Sequence, residues 1–143
     1  HKITKNDFKE YYQSLLWLKE NLPAVSRNNP EYGVLPSASE YGNAIVYAAE
    51  RPTIATNMHL EPHGLITLEK FFIETDLKKA QKILDENRVK YLILSPTPYI
   101  EQKAKKDSMY NKLWQLEHLS QLEKVYSSDG GNIKIFMNKI PCP

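Results

Sequence analysis

From Asp7 to Leu22 the apolar residues Phe8, Tyr11, Tyr12, Leu15, Leu16, Leu18 and Leu22 recur mostly at three- and four-residue intervals. That spacing predicts an amphipathic helix, with Asn6 as its cap and Pro23 as its stop. A polar stretch from Ala24 to Pro30 then leads into a short apolar strand, Tyr32 to Leu35, which Pro36 and Ser37 break. The corner Glu40-Tyr41-Gly42 opens a helix that Arg51-Pro52 ends, and the β-branched run Thr53 to Thr56 reads as a second strand. Residues Asn57 to Gly64 form a loop. Leu65 to Ile73 is a helix with Leu68, Phe71 and Phe72 on one face, and Thr75 caps another running from Asp76 to Asn87. In that second helix Leu77, Ala80, Ile83 and Leu84 face inward while Lys78, Lys79 and Lys82 face water.

Val89 to Leu94 is an almost unbroken apolar run of strand length, as expected of a central strand covered on both faces. Ser108 to Gln121 predicts a last helix, with Met109, Leu113, Leu116 and Trp114 available to the core. Two strands, Glu123 to Ser127 and Asn132 to Met137, flank the hairpin composition Ser128-Asp129-Gly130-Gly131. Strands that alternate with helices predict an α/β fold. The sheet is expected to be mixed and mainly parallel, layered by helices, with the C-terminal antiparallel hairpin at its edge.

At 143 residues the chain is expected to be a single domain spanning residues 1–143 and burying roughly two-thirds of its unfolded surface. Its 19 basic and 17 acidic residues leave a net charge of +2, which gives no electrostatic case for a nucleic-acid partner. Lys103, Lys105 and Lys106 read as a solvated run, and as the patch to face a bilayer if the domain lies against one. A lone Cys142 cannot form an internal disulfide, so cysteine usage leaves the compartment open. No run approaches the roughly 20 apolar residues of a membrane span. The chain is therefore expected to be soluble, and its start at His1-Lys2 without Met reads as a piece excised from a longer protein.

Few residues suggest chemistry. His59, Glu61 and His63 are metal-ligand types within five residues, but Pro62 between them disfavours the helix that would make two imidazoles converge. They read as a surface loop, and no metal ligand is assigned. Neither a nucleophile elbow nor a glycine-rich phosphate loop is present, and Asp85-Glu86 falls on an exposed helix face. The corner after the first strand remains. It admits a purely structural account: Ser39 caps the helix, Glu40 complements its dipole, Tyr41 packs and Gly42 allows close approach. It also stands at the strand-to-helix turn where open α/β sheets bind ligands.

The order Tyr32-Gly33-Val34-Leu35, an acidic residue followed by Tyr41-Gly42, Ile45 and Tyr47, Arg51-Pro52, then Ala55 to Asn57, resembles the acceptor-recognition region of the oligosaccharyltransferase catalytic subunit. The resemblance continues through Phe71-Phe72, the helix from Asp76, the strand Val89 to Leu94 and the closing Leu122 to Phe136, and so covers most of the chain. In that family the corner reads Trp-Trp-Asp-Tyr-Gly and binds the hydroxyl of an Asn-x-Ser/Thr acceptor. Here Ala38-Ser39-Glu40-Tyr41-Gly42 stands in its place. Carried over, Ser39, Glu40, Tyr41 and Gly42 are the expected acceptor-binding residues, with Glu40 as acceptor and Ser39 as donor. Losing the two indoles, at about 1 kcal/mol per hydrogen bond, would weaken hydroxyl recognition roughly ten- to hundredfold unless replaced.

The resemblance implies the extracytoplasmic, membrane-associated C-terminal domain of a polytopic glycosyltransferase. The domain itself would carry no catalytic residue and no cofactor, and a Mn or Mg ion would sit in the full-length parent. Implied partners are the parent's own transmembrane domain, a lipid-linked oligosaccharide and an acceptor polypeptide. A non-catalytic module that binds protein or glycan through its tyrosines and the His59 to His63 loop is one alternative, and a stand-alone small-molecule-binding α/β domain is another.

Overall fold

A computed structural model describes residues 5–21, 33–37 and 62–139. In chain order these form α1 (Lys5–Asn21), β1 (Gly33–Pro36), α2 (Pro62–Ile73), α3 (Leu77–Glu86), β2 (Val89–Leu94), α4 (Pro98–Lys103), α5 (Met109–Gln115), β3 (His118–Leu119), β4 (Leu122–Ser127) and β5 (Lys134–Asn138). The expected helix from Glu40 to Arg51, the strand Thr53 to Thr56 and Cys142 lie outside the described residues.

The five strands make one mixed sheet in the order β1-β2-β5-β4-β3. Among the described residues β1 and β2 are parallel, and the other three pairings are antiparallel. The α/β class is as expected. The hairpin's place differs: β5 lies inside the sheet beside β2, and the outer edge is the two-residue β3. Helix α5 therefore stops at Gln115 rather than Gln121, because residues 118–119 pair with β4, and Leu116 is left exposed. Cross-strand pairing has overridden a helical pattern that the sequence alone supports.

Strand β2 is buried on both faces, and its side chains divide between two cores. Leu92 and Leu94 join Leu35 and Phe136 beneath α2, α3, α4 and α5. Tyr91 and Ile93 join Val34, Ile133 and Ile135 against Tyr11, Leu15 and Leu18 of α1. Among the described residues the sheet lies between one helix and four. A register break places Val34 opposite Tyr91 although Gly33 lies opposite Val89, so Lys90 is a bulged residue. The bulge explains why Val89 packs with Leu92 rather than with Tyr91. A second bulge at Val125 turns both Val125 and Tyr126 towards the α1 core, where Tyr126 stacks on Trp17 at 5.4 Å.

Local chemistry sets the helix limits. Helix α2 begins at Pro62, three residues before the expected start, because a proline is favoured at a first helical position. His63 thus falls in a helix rather than a loop. In α3 the cap is Asp76, not Thr75: its carboxylate accepts from the Lys79 N–H at 3.0 Å. Ala80 and Leu84 are buried, but Leu77 is exposed. Asp85 is not merely solvated. It accepts from Gln81 and Asn138, and the buried Asn138 amide also donates to the Val89 carbonyl at 3.0 Å, tying α3 to β2 and β5. The short helix α4, unanticipated from its composition, starts at Pro98.

Helix α1 is fastened to the hairpin by one carboxylate. Glu10, only 8% exposed, accepts from Ser128 Oγ at 2.7 Å and the Gly130 N–H at 2.6 Å through Oε1, and from Asn132 Nδ2 at 2.9 Å through Oε2. A Cβ on residue 130 would lie 2.5 Å from Glu10 Oε1, so a side chain there would push the carboxylate out of its bonds. The Asn132 amide leads the donors that hold the Glu10 pKa below its ordinary 4.5, against the opposing effect of burial. A lowered folded pKa means that this stabilisation is full above about pH 4.5 and is lost as pH falls through the folded value. Urea unfolding from about pH 7 to below about pH 4 should show an acid-side loss. Glu10→Gln should lower stability at neutral pH by about 1–3 kcal/mol and remove part of that acid dependence; an unchanged pH profile would refute the fastening.

Candidate functional site

Parallel pairing of β1 with β2 brings their carboxyl ends to one edge of the sheet, and at that edge the apolar runs give way to hydroxyls. Ser37, Ser95 and Thr97 are all buried there. The Ser37 N–H continues the ladder to the Ile93 carbonyl at 2.9 Å. In an uninterrupted parallel ladder the Ser95 N–H would next reach the Ser37 carbonyl. Here it donates instead to Ser37 Oγ at 3.0 Å. The side chain has taken the place of the main chain, and the ladder ends.

The Ser95 carbonyl lies 2.8 Å from Thr97 Oγ1 and 3.1 Å from Ser37 Oγ, and the two hydroxyls lie 2.9 Å apart, so their two protons serve the carbonyl and the contact between them. The Thr97 N–H donates to Tyr110 Oη at 2.9 Å, and Tyr110 donates to Glu101 Oε1 at 2.8 Å. Burial, with the Glu101 carboxylate adding to it, pushes the Tyr110 phenol up to about 12. Tyr110 therefore stays protonated and donates throughout the physiological range. The ring is held edge-on between Phe72 and Trp114.

This edge directly precedes the expected acceptor-binding residues. Ser39, Glu40, Tyr41 and Gly42 lie outside the described residues, as do His59 and Glu61; what the structure places is Ser37, two residues before Ser39. Beyond β2, Tyr99 and Lys103 of α4 reach Glu69 of α2: Lys103 Nζ lies 2.7 Å from Glu69 Oε1 and Tyr99 Oη lies 3.1 Å from Oε2. Lys103 also sits 4.5 Å over the Tyr99 ring. The basic run is thereby divided, with Lys103 paired and Lys105 and Lys106 exposed. Among the described residues no cluster of three or more His, Cys, Asp or Glu is arranged to hold a metal. Their helices also include none long and apolar enough to cross a membrane.

Sequence reasoning saw Ser37 and Ser95 only as strand breakers. A signal was available, since hydroxyls follow both apolar runs at matching ends of two strands expected to be parallel. Ser37→Ala would strand the Ser95 N–H in a buried site. It should cost about 1–3 kcal/mol and speed hydrogen exchange at the Ser95 amide specifically. Exchange there at the wild-type rate would show that the hydroxyl does not close the ladder.

Residues 8–97 match the family model described as the AglB core domain. Over 88 residues the chain is 32% identical to dolichyl-phosphooligosaccharide-protein glycotransferase 2 of Archaeoglobus fulgidus, a match covering 59% of this chain and 14% of that relative. Among solved structures, the C-terminal globular domain of the A. fulgidus oligosaccharyltransferase AfAglB-S2 superposes with a TM-score of 0.73 at 24% identity, covering 97% of this chain and all of that one. The A. fulgidus oligosaccharyltransferase AglB in complex with an inhibitory peptide and a dolichol-phosphate superposes with a TM-score of 0.66 at 17% identity, over 85% of this chain and 23% of that one. The chain thus spans a minor part of the full-length proteins it matches. With that model covering more than half of its residues, this chain belongs to the AglB core-like family.

Proposed function

We propose that the chain is the extracytoplasmic C-terminal domain of a membrane glycosyltransferase of the oligosaccharyltransferase type, and that it helps hold the acceptor for transfer of a glycan from a lipid-linked donor. The observation that carries this reading is the closed ladder at the carboxyl edge of β1 and β2. A buried hydroxyl network fixes the main chain at Ser37, so the residues that follow start from a rigid base. Family membership supplies the chemistry to test there.

In this reading Glu40 accepts a hydrogen bond from the acceptor hydroxyl, Ser39 donates one, Tyr41 packs and Gly42 allows the polypeptide to approach. The domain contributes binding and no catalytic group. The reacting centre, with a divalent Mn or Mg ion, belongs to the membrane part of the parent. A structure of an A. fulgidus oligosaccharyltransferase in complex with Zn and sulfate is consistent with a metal in such a parent. The transmembrane part would be this domain's permanent partner.

Reconstitution of the full-length parent with lipid-linked oligosaccharide, Mn or Mg and a panel of acceptor peptides tests the proposal. Glu40→Gln should raise the acceptor KM about 10- to 100-fold, the value of a charge-assisted hydrogen bond, with a smaller effect on the KM for the donor. Unchanged acceptor kinetics would remove Glu40 from the site. Failure to transfer to every peptide would favour the non-catalytic interaction module instead.

A further inference from the structure

The hairpin turn that Glu10 holds contains a peptide bond whose chemistry none of the roles above uses. Asp129-Gly130 is the only place in the chain where an aspartate or asparagine precedes a glycine. In such a pair the acidic side chain can close on the next main-chain nitrogen, because a glycine offers no Cβ to hinder the approach. Both residues are exposed, so water reaches the bond. The Gly131 N–H donates to the Ser128 carbonyl at 2.9 Å, which makes Asp129 and Gly130 the two central residues of a tight turn.

The reaction needs no partner but water. The Gly130 nitrogen attacks Asp129 Cγ of the neutral carboxyl group; a C–N bond forms, the Cγ–OH bond breaks, and the hydroxyl leaves with the amide proton as water. Water then opens the resulting cyclic imide at one of its two carbonyls. One opening restores aspartate. The other leaves isoaspartate, in which the main chain runs through the former side chain and is one methylene longer.

The fold opposes the first step. Attack uses the nitrogen lone pair that appears where the proton was, and that direction is occupied: the Gly130 N–H points at Glu10 Oε1, 2.6 Å away. Loss of the proton would also set a negative nitrogen against a carboxylate. Glu10 is a weak base for removing it, since Asn132 and Ser128 also donate to the carboxylate and favour its charged form. The peptide plane cannot simply turn away. Oε1 accepts from Ser128 Oγ as well, and Ser128 Oγ accepts from the Ile133 N–H at 3.0 Å, so carboxylate, serine and turn must move together. The bare Cα that lets Glu10 approach, where a Cβ would lie 2.5 Å from Oε1, is also what leaves the nitrogen open to attack once Glu10 departs.

We propose that Asp129 is a site of spontaneous isoaspartate formation that the Glu10 carboxylate keeps closed in the folded chain. The modification is self-reinforcing. A main chain lengthened at residue 129 carries the Gly130 N–H away from Glu10, and the bond that restrained the turn is not remade.

Incubation of the 143-residue chain at about pH 5, where Glu10 stays ionised, followed by peptide mapping that separates aspartate from isoaspartate, tests the proposal. A synthetic peptide from Tyr126 to Lys134 gives the unrestrained rate. The folded wild type should form isoaspartate at residue 129 well below that rate. Glu10→Ala should form it about 5- to 100-fold faster than the wild type, and Glu10→Gln, whose amide oxygen still accepts, should fall between the two. The Asp107-Ser108 bond reports general unfolding and should react equally in all three proteins. Should Glu10→Ala release Asp107 as well, a rise confined to residue 129 in Glu10→Gln carries the test. A wild type that isomerises as fast as the peptide, or variants that match the wild type at residue 129, would overturn the proposal.

Discussion

The parallel pairing of β1 with β2 is the constraint from which the remaining architecture follows. A parallel pair cannot be closed by a tight turn; it needs a long crossover, and helices carried by the crossover cover the sheet. β2 must then be apolar on both faces. Leu92, Ile93 and Leu94 are fully buried, each contributing about 1.5–3 kcal/mol. Together the three exceed any single polar contact among the described residues. Hydrophobic burial fixes where the two strand ends lie, and the Ser37 hydroxyl only determines how the ladder finishes there.

The two polar fastenings have different work to do. At the carboxyl edge, Ser37, Thr97, Tyr110 and Glu101 connect β1, the segment after β2, α5 and α4 in one hydrogen-bonded network. Such a network specifies geometry more than it adds stability, because every member exchanges bonds with water for bonds within the protein. Across the sheet, Glu10 holds α1 to a turn more than 100 residues away. Without it the hairpin would be held to α1 by apolar packing alone, through Ile133, Ile135 and Tyr126.

Much of the fold could be read from the pattern of residues. The strand Val89–Leu94 has the limits that its apolar run predicts, and Leu68, Phe71 and Phe72 are buried as their helical spacing requires. Legibility failed where long-range pairing competed with local periodicity. The segment from Leu116 to Gln121 continues a helical pattern, yet His118 and Leu119 pair across to Glu123 and Leu122. The bulges at Lys90 and Val125 left no trace in the sequence because they arise from the register of two strands. The expected acceptor corner rests on a family resemblance; the hydroxyls found just before it depend on two strand ends meeting, which spacing along one strand does not reveal.

The strand at one end of the described sheet, β3, bears on how copies of the domain can coexist. β3 covers only Leu122 and Glu123 of β4, and immediately beyond stand Lys124 and the bulged Val125. A bent rim guarded by a cation offers a poor template for an incoming strand. Domains crowded side by side would therefore resist zipping together across that rim.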